Sequence, residues 1–385
     1  MSELSKAIAP VPLERFPLLP ADLSGQFGSN RSKAVSQIEA NDDLAAIHCW
    51  LSEFEDSPQT YRNYRKEVER LLLWSIKERG KPLSSLTRED FQAYEKFLPS
   101  PTPKDYWCGP RADRSTVAWK PFLGPLKTNS QRQALIVINA LMSYLVNAAY
   151  ISGNPLSLMR RRKQKLHKLA DEPIQLERFL DVDTWEYLKR YIREMPQDTS
   201  RQIATFERTR FLFHILYLLA PRVSEVANHQ MNSFREIRGK WWWLVVGKGR
   251  KKAKLPVSDE MLDALIRYRR HLKLGDLPTE TDDTSLIKSI NGTKSISPNM
   301  VYRIVKETVK CASASVEDED PVKASKLIKA STHWFRHTAA SHLDQNGFSL
   351  KQIKDQLRHE KVETTQIYQH AEDDVWHDEM QRHKF

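Results

Sequence analysis

The stretch that most constrains this chain lies at residues 331–370, where start and stop signals for short helices follow one another. After Thr332, a good N-cap residue, apolar and small residues recur at helical spacing, and Gly347 supplies a left-handed stop. Ser349 and Gln352 then form a capping box for the next helix. The sequence therefore predicts consecutive short helices here rather than strands.

Four polar side chains of this stretch suit phosphoryl transfer. His333 and Arg336 share one face of the first helical turn, His359 follows the second helix, and Tyr368 lies on a third helix predicted from near Thr364. A phenol with a pKa of about 10 attacks phosphorus only if its proton is removed and the developing charge is matched by fixed cations. Arginine can bind two non-bridging phosphate oxygens, and histidine can move protons near neutrality. We therefore predict a phosphate site with Tyr368 as its nucleophile.

The order and spacing of these residues are more specific than any one of them, since a single His or Arg on a helix is more often a solvated or core side chain. H-x-x-R, then L-x-H, then T-T-x-x-Y resembles the C-terminal catalytic motif of the tyrosine recombinase (phage integrase) family. The resemblance implies attack on a DNA phosphate, a 3′-phosphotyrosyl enzyme and a free 5′-hydroxyl. It implies no metal ion, ATP or redox cofactor, because the bond energy stays in the covalent link.

Two motifs further upstream extend the resemblance. Arg222 begins R-x-S-E directly after Pro221, which breaks a long apolar helix and places the arginine on a tight corner. This motif resembles the family's first catalytic arginine. Lys248 stands in a G-K-G turn between two β-prone segments and resembles the lysine that protonates the departing 5′ oxygen. An isolated turn lysine is usually inert, so this assignment depends on the flanking motifs.

One departure from the family pattern concerns the turn before His359. Arg358 occupies a position where relatives often carry glycine. An additional cation is compatible with a phosphate site, but the turn is expected to differ in shape.

Basic residues outside these motifs are candidates for contacts with DNA phosphates. One group forms the densest positive run of the chain, between two expected domains, and the other flanks the G-K-G turn. A solvated charge run is the alternative interpretation of the first group. The candidates are Arg160, Arg161, Arg162, Lys163, Lys165, Arg250, Lys251 and Lys252.

Composition agrees with a nucleic-acid partner without identifying one. Lys plus Arg number 60 against 49 for Asp plus Glu, a formal net charge of +11. Ribosomal and membrane-surface proteins share this bias. No apolar run is long enough to span a bilayer and no signal peptide is recognisable, so a cytoplasmic location is expected. The cysteines, Cys49, Cys108 and Cys311, are widely separated, which favours reduced thiols over disulfides or a zinc site.

The order of the motifs predicts several domains, as expected for 385 residues. We expect a flexible arm at 1–34, a helical module at 35–158 that resembles the family's core-binding domain, a basic linker at 159–172, a catalytic domain at 173–370 and a tail at 371–385. In relatives such a tail docks on a neighbouring protomer, and folding back on its own core is equally compatible with the sequence. Within them, a helix is predicted from about Val35, a long loop at 99–128, and a capping box of Asp183 and Glu186.

The predicted fold class is mainly α with a small antiparallel β-sheet, and the resemblance implies that the two domains form a clamp on DNA. It also implies double-stranded DNA with inverted half-sites as substrate, a homotetramer assembled on that DNA, and a task such as integration or excision. Two alternatives remain open from sequence. One is a type IB topoisomerase, which would rejoin the original strands; the other is a DNA-binding accessory protein that does not use the tyrosine.

Overall fold

The computed structural model describes residues 10–159, 178–247, 251–290, 292, 295–360 and 365. The chain divides into two compact units, Met1–Leu169 and Ala170–Phe385. The division falls inside the stretch where the sequence predicts a basic linker. Across the described ranges, no helix is both long enough and apolar enough to cross a membrane.

The first unit is built from helices. Its two long helices, α2 (Pro58–Arg79) and α4 (Thr128–Asn147), pack on each other, and α1 (Asp43–Ser52) and α3 (Arg88–Phe97) pack against α2. Pro58 opens α2 at its first turn, and Gly80 ends it with a left-handed φ of 59°. Short helical turns also form at Ala21–Ser24 and Lys104–Trp107.

Two segments of this unit are more ordered than the sequence suggests. The described part of the expected arm packs onto the helical core: the Leu13 side chain is 3% exposed, and its backbone N–H donates to Glu69 at 2.7 Å. In the expected long loop, Trp107 and Phe122 are buried and their segments are joined by backbone hydrogen bonds. Both expectations rested on proline content, which limits helix and sheet but does not prevent burial of the apolar residues between the prolines.

Helix α1 also differs from its prediction. It begins at Asp43 rather than near residue 35, because the Asp42 side chain accepts a hydrogen bond from Ala45 N at 2.8 Å and so caps the helix there.

The second unit combines helices with one small sheet, which confirms the predicted fold class. A single hydrophobic core joins most of its helices to the buried face of the sheet. The elements are α5 Val182–Arg193, α6 Ser200–His214, α7 Val223–Asn228, β1 Phe234–Ile237, β2 Lys240–Val246, β3 Lys252–Pro256, α8 Asp259–His271, α9 Pro298–Ala314, α10 Pro321–Lys329, α11 Thr332–Gln345 and α12 Leu350–Leu357.

The sheet is antiparallel, in the order β1-β2-β3. Strands β2 and β3 are the predicted hairpin, whereas the short β1 was not predicted. Trp243, at the centre of β2, faces the core and pairs in register with Phe234 on one side and Leu255 on the other. This three-residue contact fixes the register of the hairpin whose turn contains Lys248.

Helix caps decide where the elements around the site begin. The predicted capping box of Asp183 and Glu186 was wrong, because Asp181 caps α5 by accepting from Thr184 N at 2.8 Å. Asp183 lies inside the helix and pairs with Lys323 at 2.8 Å. At α11 the N-cap position is Ser331, one residue before the predicted Thr332.

The predicted capping box of α12 is present. Ser349 Oγ accepts from Gln352 N at 3.3 Å, while Gln352 Oε1 accepts from Ser349 N at 2.9 Å. A small apolar cluster then holds α11, α12 and the segment after α6 together; its buried members are Ala220, Ala339, Ala340, Ile353 and Leu357.

Packing of the N-terminal segment onto the first unit can be tested with a matched pair of leucines. Leu13→Ala empties a core position, which costs about 2–5 kcal/mol. We expect amides of α2 to exchange at least about tenfold faster in hydrogen-exchange mass spectrometry. Leu18→Ala, at a side chain that is 101% exposed, should leave exchange unchanged. Equal exchange in the two variants would contradict the packing.

Candidate active site

The first arginine of the site is fixed by a corner in the backbone. Ala220 takes a left-handed φ of 45°, Pro221 follows, and Arg222 is the N-cap of α7. Glu225 accepts from the Arg222 backbone N at 2.6 Å through Oε2 and from Arg222 Nη1 at 3.2 Å through Oε1. The arginine side chain is still 39% exposed, whereas that of Glu225 is 3% exposed. The guanidinium is therefore oriented by a buried carboxylate and remains accessible to an anion.

The second arginine joins three segments of the unit. Arg336, on α11, is 4% exposed, and its Nη1 donates to the Ala220 carbonyl at 2.6 Å. Its Nη2 donates to the carbonyl of Leu357, the last residue of α12. Hydrogen bonds from a charged donor are stronger than neutral ones. Arg336 thus holds the backbone corner before Arg222 and the end of α12 at fixed positions relative to each other.

The turn after α12 carries His359, the second histidine of the predicted catalytic motif. Arg358 has a left-handed φ of 54°, the conformation that glycine adopts most readily, so this turn keeps a glycine-like shape without a glycine. Arg222 Nη2 donates to the Arg358 carbonyl at 3.4 Å. His359 Nδ1 hydrogen-bonds the Thr365 hydroxyl at 2.9 Å, and the Thr365 side chain is fully buried. A hydrogen bond therefore joins His359 to Thr365, the residue three positions before Tyr368 in the sequence.

The histidines are held in their neutral form. Burial lowers the pKa of His359 to about 4, and the nearby charges of Arg336, Arg222 and Arg358 act in the same direction. Burial and the charge of Arg336 also lower the pKa of His333. His333 lies one helical turn before Arg336 on α11, and the charge of Arg336 lowers the pKa of both His333 and His359. At neutral pH the cluster keeps its positive charge on guanidinium groups, with uncharged imidazoles beside them.

The hairpin is attached to the same cluster through His229. His229 Nδ1 donates to the Glu225 carbonyl at 2.7 Å, and its Nε2 accepts from Val246 N at 2.9 Å, which requires the neutral ring. Gly247 follows, and a Cβ built on it would lie 3.8 Å from Arg222 Nη1 and 3.3 Å from Glu225 Oε1. The base of the G-K-G turn is therefore next to Arg222.

Comparison with known proteins identifies the family. Residues 190–374 match the phage integrase family. A tyrosine recombinase of Thermosipho africanus is 23% identical over 322 residues, which are 82% of this chain and 90% of that protein. The tyrosine recombinase XerC of Thermodesulfovibrio yellowstonii is 28% identical over 252 residues, 65% of this chain and 73% of that protein. This chain belongs to the tyrosine recombinase family.

The fold agrees with that of a solved recombinase. The crystal structure of the XerH site-specific recombinase bound to a palindromic difH substrate is similar with a TM-score of 0.59 and 16% identity, covering 96% of this chain and 98% of that one. As a tyrosine recombinase, the protein is an enzyme that breaks and rejoins DNA strands.

The structure brings together four of the catalytic residues predicted for this tyrosine recombinase: Arg222, His333, Arg336 and His359. Of the predicted DNA contacts, Lys251 pairs with Glu360 across the turn after α12, and Lys252 opens β3 with an exposed side chain. The other predicted residues lie outside the described ranges; they are Lys248, Tyr368, Arg160, Arg161, Arg162, Lys163, Lys165 and Arg250.

Other residues of the recombinase site were not predicted. Glu225 was part of the motif that identified Arg222, and its position three residues later is typical of a capping residue, which could have revealed its role. His337 lies edge to face with His333, with ring centroids 4.3 Å apart, and its pKa is lowered to about 4 by burial and then by the charge of His333. Arg178 contributes to both low pKa values and had no sequence signal.

A metal site is not among the features that the structure describes: within its described ranges, no group of three or more His, Cys, Asp or Glu side chains could hold an ion. Cys49, Cys108 and Cys311 are free thiols in the described structure.

Histidine burial predicts a specific pH dependence of stability. His337 and His359 have folded-state pKa values of about 4, below the ordinary value of 6.5. Between pH 6.5 and 4 the unfolded chain therefore binds more protons at these two histidines than the folded chain does. Their contribution to the free energy of unfolding is complete above pH 6.5 and is lost as the pH falls through this window. We expect the melting temperature to decrease over this range, and to decrease less in His337→Gln. Calorimetry of both proteins checks this, and parallel curves would contradict it.

Proposed function

We propose that this recombinase cleaves a DNA strand with the phenol of Tyr368 while Arg222 and Arg336 bind the two non-bridging oxygens of the scissile phosphate. One observation carries the proposal: the two guanidinium groups donate to the adjacent carbonyls of Leu357 and Arg358, on the turn that precedes His359. An anion bound there would meet both guanidinium groups. Fixed donors of this kind stabilise the charge that develops when phosphorus becomes five-coordinate.

The proposed reaction is a transesterification at the scissile phosphate. The Tyr368 phenol passes its proton to solvent through a neutral imidazole, His333 or His359, while its oxygen forms a bond to phosphorus and the bond from phosphorus to the 5′ oxygen breaks, giving a 3′-phosphotyrosine and a 5′-hydroxyl. Lys248 gives a proton to the departing 5′ oxygen, while neutral His333 and His359 hydrogen-bond the phosphate. Attack by a 5′-hydroxyl from a second strand reverses the step and completes the exchange, without ATP, because the phosphate remains in an ester of similar energy.

Chain connectivity supports the roles of Tyr368 and Lys248. Tyr368 lies three residues after Thr365, which limits their Cα atoms to about 11 Å apart even when the chain is fully extended. Thr365 is itself hydrogen-bonded to His359, so this limit on chain length is compatible with a nucleophilic role for Tyr368 at the site. Lys248 is bonded to Gly247, which lies next to Arg222.

The DNA substrate is proposed to carry two inverted half-sites, in keeping with the palindromic substrate in the XerH complex. Exchange between two such duplexes would use four protomers, a homotetramer in which the two units of each protomer clamp the DNA. The basic segment from Arg160 to Lys165 and the hairpin residues Arg250, Lys251 and Lys252 would bind phosphates, which suits the net charge of +11. Integration or excision of a DNA segment is the task that we infer.

Covalent capture tests the nucleophile. Duplexes with a randomised region and a nick are incubated with the protein and boiled in detergent, so that only covalent adducts survive. The nick lets a short 5′-hydroxyl fragment leave, which prevents rejoining. We expect wild type to give adducts enriched in inverted repeats, and Tyr368→Phe to bind the enriched duplex without forming any. The absence of adducts with wild type, or their persistence in the variant, would contradict the proposal.

Arg336 is expected to matter more for cleavage than for folding. We expect Arg336→Lys, which keeps the charge but not the planar fork, to reduce the rate of adduct formation about a hundredfold, and Arg336→Ala about a thousandfold or more. Arg270→Ala is the control, since Arg270 is exposed on α8 and pairs with Asp276. Rates come from single-turnover assays on the captured duplex, and circular dichroism monitors the fold. A loss of activity matched by unfolding in both Arg336 variants would make this arginine structural.

A further inference from the structure

Arg358 combines an unfavourable backbone conformation with a buried ion pair. Its φ of 54° is disfavoured for any residue with a side chain and easy for glycine. Its Nη2 donates to Glu225 Oε2 at 2.6 Å, across 133 residues of sequence. The side chains of Arg358 and Glu225 are only 10% and 3% exposed. The side chain is thus placed against the carboxylate that orients Arg222.

Stability alone does not account for this arginine. Glycine would adopt the same turn without strain. Among the described residues, Arg358 Nε is buried without a hydrogen-bond partner, which is unfavourable for a polar group. The gain from the ion pair is therefore offset by two unfavourable features that glycine lacks. A role in the reaction is a better reason for an arginine here.

The charges suggest that role. Without Arg358, Glu225 and Arg222 would form a neutral ion pair, and the electric field of such a pair at a phosphate is weak. With Arg358 bound to the same carboxylate, two guanidinium groups share one negative charge, and the three side chains keep one net positive charge. Arg358 also holds one carboxylate oxygen in place, leaving the other for Arg222 Nη1. The effect of Arg358 would reach the phosphate through Glu225 and Arg222.

We propose that Arg358 is a positioning residue for DNA cleavage: by binding Glu225 it keeps the Arg222 guanidinium oriented and electrostatically available to the scissile phosphate. The proposal rests on the proposed function, in which Arg222 binds that phosphate. Arg358 is assigned to the carboxylate and not to the phosphate, because its Nη2 donates to Glu225 Oε2 at 2.6 Å and its charge is offset there, whereas the Ala220 and Leu357 carbonyls that Arg336 bonds are uncharged.

Three substitutions separate charge from backbone strain. Arg358→Gly removes the ion pair and the strain, Arg358→Gln removes the charge and keeps the strain, and Arg358→Lys keeps both. Lys273→Gly is the matched control, since Lys273 is exposed, follows the end of α8 and has a similar left-handed φ of 58°. The probe is the nicked duplex captured with wild type. Adduct formation is followed in single turnover at saturating protein from about pH 3.5 to 9, a range that includes the pKa of His359, and binding of the duplex is measured separately.

We expect the Gly and Gln variants to cleave about tenfold to a hundredfold more slowly while binding DNA within about threefold of wild type. The Lys variant should recover part of the rate, and Lys273→Gly should equal wild type. The acidic limb of the pH profile should move to higher pH in the Gly and Gln variants, because Arg358 is one of the cations that keep His359 neutral. A merely structural role would lower the rate without moving that limb.

The outcomes are distinguishable. If wild type itself forms no adduct, the proposed function fails. If wild type cleaves and the folded Gln or Gly variant cleaves at the same rate, or more slowly with an unchanged pH profile, the inference about Arg358 is overturned. Should Arg358→Gly unfold, the Gln variant decides on the same criteria.

Discussion

The site depends on the buried guanidinium of Arg336 and its bonds to two backbone carbonyls. One carbonyl, of Ala220, lies just before the corner that carries Arg222; the other, of Leu357, lies just before the turn that carries His359. Backbone carbonyls at a corner and at a helix end lack partners within their own elements, so a charged donor is well suited to both. A single side chain therefore sets the spacing of segments that are more than a hundred residues apart in sequence.

Around that centre, charge is distributed so that anion binding does not depend on protonation. The imidazoles of His333 and His359 are kept neutral by burial and by neighbouring guanidinium groups. Arginine holds its proton throughout the physiological range. The positive potential of the site is thus constant near neutral pH, and the histidines remain able to exchange hydrogen bonds. His229 extends this arrangement by connecting the backbone of Glu225 to the hairpin through two hydrogen bonds of a neutral ring.

Sequence reasoning succeeded where a signal is local. The Ser349–Gln352 capping box, the left-handed Gly347 and the β2–β3 hairpin are each encoded within a few residues, and the structure contains all three. It was less accurate where several residues compete for one role, as Asp181 and Asp183 do at the start of α5. The carboxylate shared by Arg222 and Arg358 could not be predicted, because that contact depends on tertiary packing between distant segments.

The small apolar cluster beneath the site has its own consequence. Ala220, Ala339 and Ala340 bring the backbone corner close to α11, and this closeness allows Arg336 to reach the Ala220 carbonyl. The small side chains of these alanines therefore help to set the distance between the guanidinium groups of Arg222 and Arg336. A bulkier aliphatic residue at any of these positions would push the backbone corner away from α11. The two guanidinium groups would then be misaligned, although no ionisable group had been changed. The recombinase can thus be inactivated by a change of volume as well as by a change of charge.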